Sequence, residues 1–126
     1  MDNKNFKAAF TTDDRIIITP HFGRANYFEI IEVSDGTITS RERRDKLSFH
    51  KNHDESNLPD HNDRHQAIYD SIKDCDFIVS GNMGYGIYDF LKENKKQPII
   101  TDIRNIDDAL PRIIDGTIEN RTDKLH

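Results

Sequence analysis

Two patterns of spacing, one in each half of the chain, decide what kind of sheet it can build. In the second half, short apolar runs alternate with helical periods. Residues 64–73 are amphipathic with Ala67, Ile68, Ser71 and Ile72 facing inward, and 76–80 read as a buried strand. Residues 81–86 turn the chain. A helix then carries Ile87, Phe90 and Leu91 on one face and ends about Asn94, and 98–101 form another strand. The last helix has Ile106, Leu110, Ile113 and Ile114 at helical spacing and stops at Gly116. Strands separated by helices need crossover connections, which set them parallel. The first half has the opposite signature. Asp35-Gly36 lies between β-rich runs at 27–33 and 37–43, the mark of an antiparallel hairpin, with further strands expected at 7–12 and 16–18. One chain carrying both patterns makes an α/β protein with a single mixed sheet and flanking helices.

The 126 residues fit one domain, here 7–116, between a polar arm at 1–6 and a polar tail at 117–126 with little to bury. Apolar content is 34% and charged content 33%, so the core segments must be compact. The net charge of −5 opposes nucleic-acid binding, and the basic run Arg41, Arg43, Arg44, Lys46 and Lys51 reads as a solvated strand end. With one cysteine there is no internal disulfide, and no apolar N-terminal run could be a signal peptide or a membrane span. A soluble cytoplasmic protein is the expectation. Pro111 should clash with the carbonyl of Asp107, so the last helix is expected to start late or bend.

Three stretches carry chemistry. Residues 49–65 hold His50, His53, His61 and His65 with almost no apolar residue between them. Imidazole is the commonest ligand for borderline metals, although such a run is also what a hydrophilic loop looks like. A helix beginning near Asp60 would place His61 and His65 on the stripe that continues through Ile68, Ile72 and Cys75, which ranks them ahead of His50 and His53, with His126 last. The second stretch, 19–25, sets His21, Gly23 and Arg24 between two strands, with His21 constrained by Pro20 before it and Phe22-Gly23 after it. The third is Gly81-Asn82-Met83-Gly84-Tyr85-Gly86, a strand-to-helix turn at the carboxyl end of a strand. Free N–H groups at a helix start attract anions and glycines allow close approach, although glycines also simply permit a sharp turn. The turn lacks the lysine of a phosphate-binding loop. An anionic ligand is expected against the N–H groups of residues 83–86, with Arg24 as the opposing charge unless it pairs with a surface carboxylate. Cys75 continues an apolar stripe and reads as a buried hydrophobe. Asp13-Asp14 followed by Arg15 is turn chemistry rather than a nuclease centre with Asp102.

Taken together, the run 9–13, Pro20-His21-Phe22-Gly23-Arg24-Ala25 with Tyr27-Phe28, the run 76–84, and Ile100-Thr101-Asp102 resemble the dinitrogenase iron-molybdenum cofactor biosynthesis family over roughly residues 7–116. The resemblance implies a ribonuclease H-like fold of three α/β/α layers. It also implies a non-enzymatic role: binding an iron-sulfur or iron-molybdenum cluster, or its precursor, and passing it between donor and acceptor proteins. The sequence departs from the family pattern at Asn82, where a second glycine is common, and 49–65 is the part that varies most. The residues assigned to the cluster are His21, Gly23, Arg24, Gly81, Met83, Gly84, Tyr85 and Gly86, with His50, His53, His61 and His65 as metal ligands. Two other readings stand beside it: a store or sensor of a single zinc, iron or nickel ion held by the loop histidines, and an interaction module with no ligand.

Overall fold

The computed structural model describes residues 5–45 and 61–125, with side chains from His65 onward in the second segment. Strand β1 (Phe6–Thr12) runs through the middle of the sheet. Strands β2 (Tyr27–Ser34) and β3 (Thr37–Asp45) follow as a hairpin, helix α1 (His61–Ile72) leads to β4 (Phe77–Ser80), α2 (Tyr85–Glu93) to β5 (Gln97–Ile100), and α3 (Ile106–Ile114) comes last. The five strands are ordered β3-β2-β1-β4-β5. β1 pairs antiparallel with β2 and parallel with β4, and β4 pairs parallel with β5, so the mixed sheet expected from the two halves is present. Asp35 and Gly36 both have positive φ, 54° and 75°, the geometry of the tight hairpin turn whose twist matches its strands.

Alternation along the strands divides the core between the two faces of the sheet. Ala8, Phe10, Ile31, Val33, Val79 and Ile99 pack with Ile106, Leu110 and Ile113 of α3. Ala9, Phe28, Ile30, Ile78 and Ile100 pack on the other face with Ile72, Ile87 and Leu91 of α1 and α2. Helices therefore cover both faces. The register of β2 also buries one carboxylate. Glu29 is 1% exposed and accepts from Arg15 Nε at 2.7 Å and Arg41 Nε at 3.0 Å, and Arg41 Nη1 reaches on to Asp107 of α3 at 2.8 Å. Burying a charge is tolerated when it is paired and hydrogen-bonded in this way. The basic strand end is thus only partly solvated: Arg41 and Arg44 are ion-paired, and Arg43 lies 4.4 Å over the Tyr27 ring.

Three local expectations change in three dimensions. The run 16–18 forms no strand, only single bridges from Ile18 to Thr12 and from Ile17 to Asn105. The reason is side-chain competition for the backbone. Thr12 Oγ1 accepts from the Arg15 amide and Asp14 Oδ1 from the amides of Ile16 and Ile17, Arg15 takes a φ of 70°, and Ile16 is left 56% exposed. Helix α3 starts at Ile106 despite Pro111, because the Asn105 side chain caps it by accepting from Asp107 N at 2.9 Å. Asp107 and Pro111 are both exposed, so the carbonyl that the proline leaves without a helical donor lies on the wet side. The segment after Gly116 also buries more than its polarity promises. Ile118 packs against one core cluster and Leu125 against the other, while Asn120 and Arg121 bond to the backbone of β5.

Candidate functional site

β1, β4 and β5 run parallel, so their carboxyl ends share one edge of the sheet, and the loop after β1 meets the glycine turn after β4 there. A ladder of hydroxyls prepares the junction: Thr11 Oγ1 donates to Val79 O at 3.4 Å, and Thr19 Oγ1 donates to Thr11 Oγ1 at 2.9 Å. The backbone then joins the two segments. Gly81 N donates to Thr19 O at 2.9 Å and Phe22 N to Asn82 O at 3.0 Å. Residue 81 must be glycine for this, since a Cβ there would stand 2.8 Å from Pro20 Cα and 2.9 Å from Thr19 O.

Phe22 anchors the loop. It is 3% exposed, its ring centroid is 6.0 Å from that of Phe28, and its backbone makes a short 3-10 turn over Phe22–Arg24. Its flanking residues are left outside the core. His21, Gly23 and Arg24 are all exposed, no atom lies within 4 Å of where a Cβ of Gly23 would be, and no carboxylate among the described residues pairs with Arg24.

Helix α2 begins with its donors open. Gly84 is the N-cap, offers no side-chain cap, and has its carbonyl bonded by Tyr88 N at 3.1 Å. Met83 is a core residue, 1% exposed, and its N–H is taken by Asn82 Oδ1 at 2.9 Å. Of the N–H groups of residues 83–86 expected to meet an anion, those of Gly84, Tyr85 and Gly86 have no partner among the described residues, whereas that of Met83 is occupied. Tyr85 stands 58% exposed above them.

His65 comes to this same turn from α1. A Cβ at Gly86 would lie 3.3 Å from His65 Cε1 and 3.9 Å from Nε2, so the missing side chain is the space in which the imidazole rests. The ring is half-buried, 5.3 Å from Phe90 between centroids, and Tyr69 closes the group at 6.2 Å from Phe90. His61 belongs to the first turn of α1, while His50, His53 and His126 lie outside the described residues. Among the described residues no three His, Cys, Asp or Glu side chains gather as a metal-ion site.

The other acidic and thiol groups are committed elsewhere. Asp13 Oδ1 accepts from the Asn26 backbone and side chain, Asp14 closes its own turn, and Asp102 pairs with Arg121 and Lys124. Cys75 is fully buried and burial pushes its thiol up to about 12, which leaves it protonated and inert at neutral pH.

The family model described as dinitrogenase iron-molybdenum cofactor matches residues 4–116. The chain belongs to that family. The match ends at Gly116, before the segment that runs along β5. Solved structures agree in fold. The crystal structure of a candidate dinitrogenase from Methanocaldococcus jannaschii superposes with a TM-score of 0.69 at 19% identity, covering 94% of this chain and 96% of that one. The apo form of the orange protein from Desulfovibrio gigas gives 0.68 at 17% identity, with 94% of each chain covered. A candidate NifB protein from Thermotoga gives 0.63 at 18%, covering 93% of this chain and 94% of its own. No curated protein matches the chain. Among the described residues, no helix is long and apolar enough to cross a membrane.

The residues of this edge are legible in the sequence, but their division of labour is not: Gly81 allows backbone approach, Gly86 makes room for an imidazole, and the Thr11–Thr19 ladder and the Phe22 anchor have no periodic signal. A phenylalanine inside an otherwise polar loop was the available signal for Phe22.

Proposed function

We propose that the chain binds an iron-sulfur or iron-molybdenum cluster, or a precursor of one, and carries it between donor and acceptor proteins without catalysing a reaction of its own. The observation that carries this reading is the bonding of the His21–Arg24 loop onto the same turn whose Gly86 receives His65. The turn offers backbone donors and partial positive charge to sulfide or carboxylate edges of an anionic cargo. Arg24 offers a guanidinium that keeps its charge at any working pH. His21 and His65 offer imidazole nitrogens to iron. His61, one helical turn before His65, and the loop histidines His50 and His53 would complete the ligand set. Family membership supports the cargo class, and the strand order with helices on both faces supports a ribonuclease H-like reading of the fold.

The test is anaerobic reconstitution with iron and sulfide, with and without molybdate, followed by metal per chain and visible absorbance. The wild type is expected to take up a coloured, oxygen-sensitive cluster. His21→Ala, His65→Ala and Gly84→Val should each lower uptake several-fold while the far-UV spectrum is unchanged. One colourless equivalent of metal, lost in the loop variants but not in His21→Ala, would replace this reading with a single-ion site.

A further inference from the structure

The sheet has two outer edges, and the chain treats them differently. β3 is a nine-residue strand whose last five residues, Arg41, Glu42, Arg43, Arg44 and Asp45, are all charged, a common protection against edge-to-edge pairing. β5 is short, and its Pro98, Ile99 and Ile100 are buried. In its parallel ladder, Gln97 N donates to Asp76 O and Thr101 N to Ser80 O, so residues 97, 99 and 101 face β4 while 98 and 100 face outward. Pro98 has no N–H. The outward groups are therefore the Pro98 carbonyl and the Ile100 N–H and carbonyl.

All three are taken by the segment after α3. Ile100 N donates to Asn120 Oδ1 at 2.9 Å, Asn120 Nδ2 donates to Pro98 O at 3.1 Å, and Arg121 N donates to Ile100 O at 2.7 Å. One carboxamide thus presents both an acceptor and a donor to the edge, as the backbone of a neighbouring strand does. The segment is fastened on both sides of that contact: Ile118 packs on the α3 face, Leu125 packs on the opposite face, and Arg121 and Lys124 pair with Asp102.

We propose that residues 117–125 close the β5 edge against strand addition, with the Asn120 side chain standing in for a sixth strand, and that the occupant they exclude is a second copy of this chain. A bared β5 has a self-complementary partner in the β5 of another copy, because two identical edges can pair antiparallel about a two-fold axis. The edge also lacks the charges that guard β3.

The experiment uses the full chain. Light scattering over a wide concentration range and amide exchange at Ile100 are compared for wild type, Asn120→Ala and Asn120→Asp. Asn120→Ala is expected to keep its far-UV spectrum, to exchange the Ile100 amide at least tenfold faster, and to rise with concentration toward twice the wild-type mass. Asn120→Asp keeps an acceptor for Ile100 N–H but sets a carboxylate against the Pro98 carbonyl, and should associate to a lesser degree. A folded Asn120→Ala whose mass stays at the wild-type value throughout overturns the proposal. If Asn120→Ala does not fold, Asn120→Asp decides by the same readouts: association supports edge closure and an unchanged mass overturns it.

Discussion

A methyl group added at residue 81 and one added at residue 86 meet different kinds of neighbour. At 81 it would stand 2.8 Å and 2.9 Å from backbone atoms of Pro20 and Thr19, which cannot move without parting the His21 loop from the glycine turn. Gly81→Ala should cost about 1–3 kcal/mol, the usual range for overpacking, and lower ligand uptake as well. At 86 the nearest atom, at 3.3 Å, belongs to the His65 ring, which can swing aside. Alanine is also the better helix former by up to about 1 kcal/mol. Gly86→Ala should therefore leave stability unchanged or raised while cluster uptake falls. Urea midpoints and metal per chain measured on both variants check the pair, and equal stability losses at the two positions would contradict it.

Between elements, one connection that ties β3 to the rest of the domain, beside its ladder with β2 and the Arg41 pairs, is the Arg44–Asp74 fork. Arg44 Nη1 and Nη2 reach the two Asp74 oxygens at 2.6 Å and 2.8 Å, Nη1 also donates to Ser71 O at 3.1 Å, and Lys7 of β1 adds a contact at 3.1 Å. The Arg44 guanidinium first, and Lys7 after it, hold the Asp74 carboxyl well below its ordinary 3.8 against the opposing effect of burial. A depressed folded value means that the stabilisation is fully present above about pH 4 and is lost as pH falls through that lower value. Asp74 is 41% exposed, so solvent screens the pair and the effect is of order 1 kcal/mol. Asp74→Asn should be less stable than wild type at pH 7 by about that amount. The gap should narrow below pH 4 and shrink in high salt; a gap that persists unchanged at pH 2 would mean that packing, not charge, is what the substitution disturbs.

For the molecule as a whole, the proposed site draws on segments from both halves of the chain that meet at the carboxyl edge of the sheet, and its pH response should reflect that. Histidine binds metal as neutral imidazole, so protons compete with the cargo. Cluster occupancy is expected to fall as pH is lowered, and to fall less steeply in His21→Ala and His65→Ala than in wild type. Occupancy followed from pH 8 to 5.5 at fixed cluster concentration measures this. A flat profile in the wild type would remove the histidines from the ligand set.

Local pattern was enough for the features whose cause is local. Asp35-Gly36 specifies its turn because both residues tolerate positive φ, the alternation of short strands with helices specifies parallel crossovers, and the spacing through Ile68, Ile72 and Cys75 places His65 on the inward side of α1. Tertiary structure decided the rest, wherever two segments distant in sequence compete for the same backbone or the same space. The run 16–18 has strand composition, yet Asp14 holds the amides of Ile16 and Ile17, Ile18 N donates to Arg104 O and Ile106 N donates to Ile16 O, so the strand never forms. Gly81 and Gly86 look alike in a glycine-rich turn, and only the approach of Thr19-Pro20 to one and His65 to the other separates their roles. The polar stretch after Gly116 has no periodicity to read, because its work is done by one carboxamide and one backbone N–H against an edge formed elsewhere in the chain.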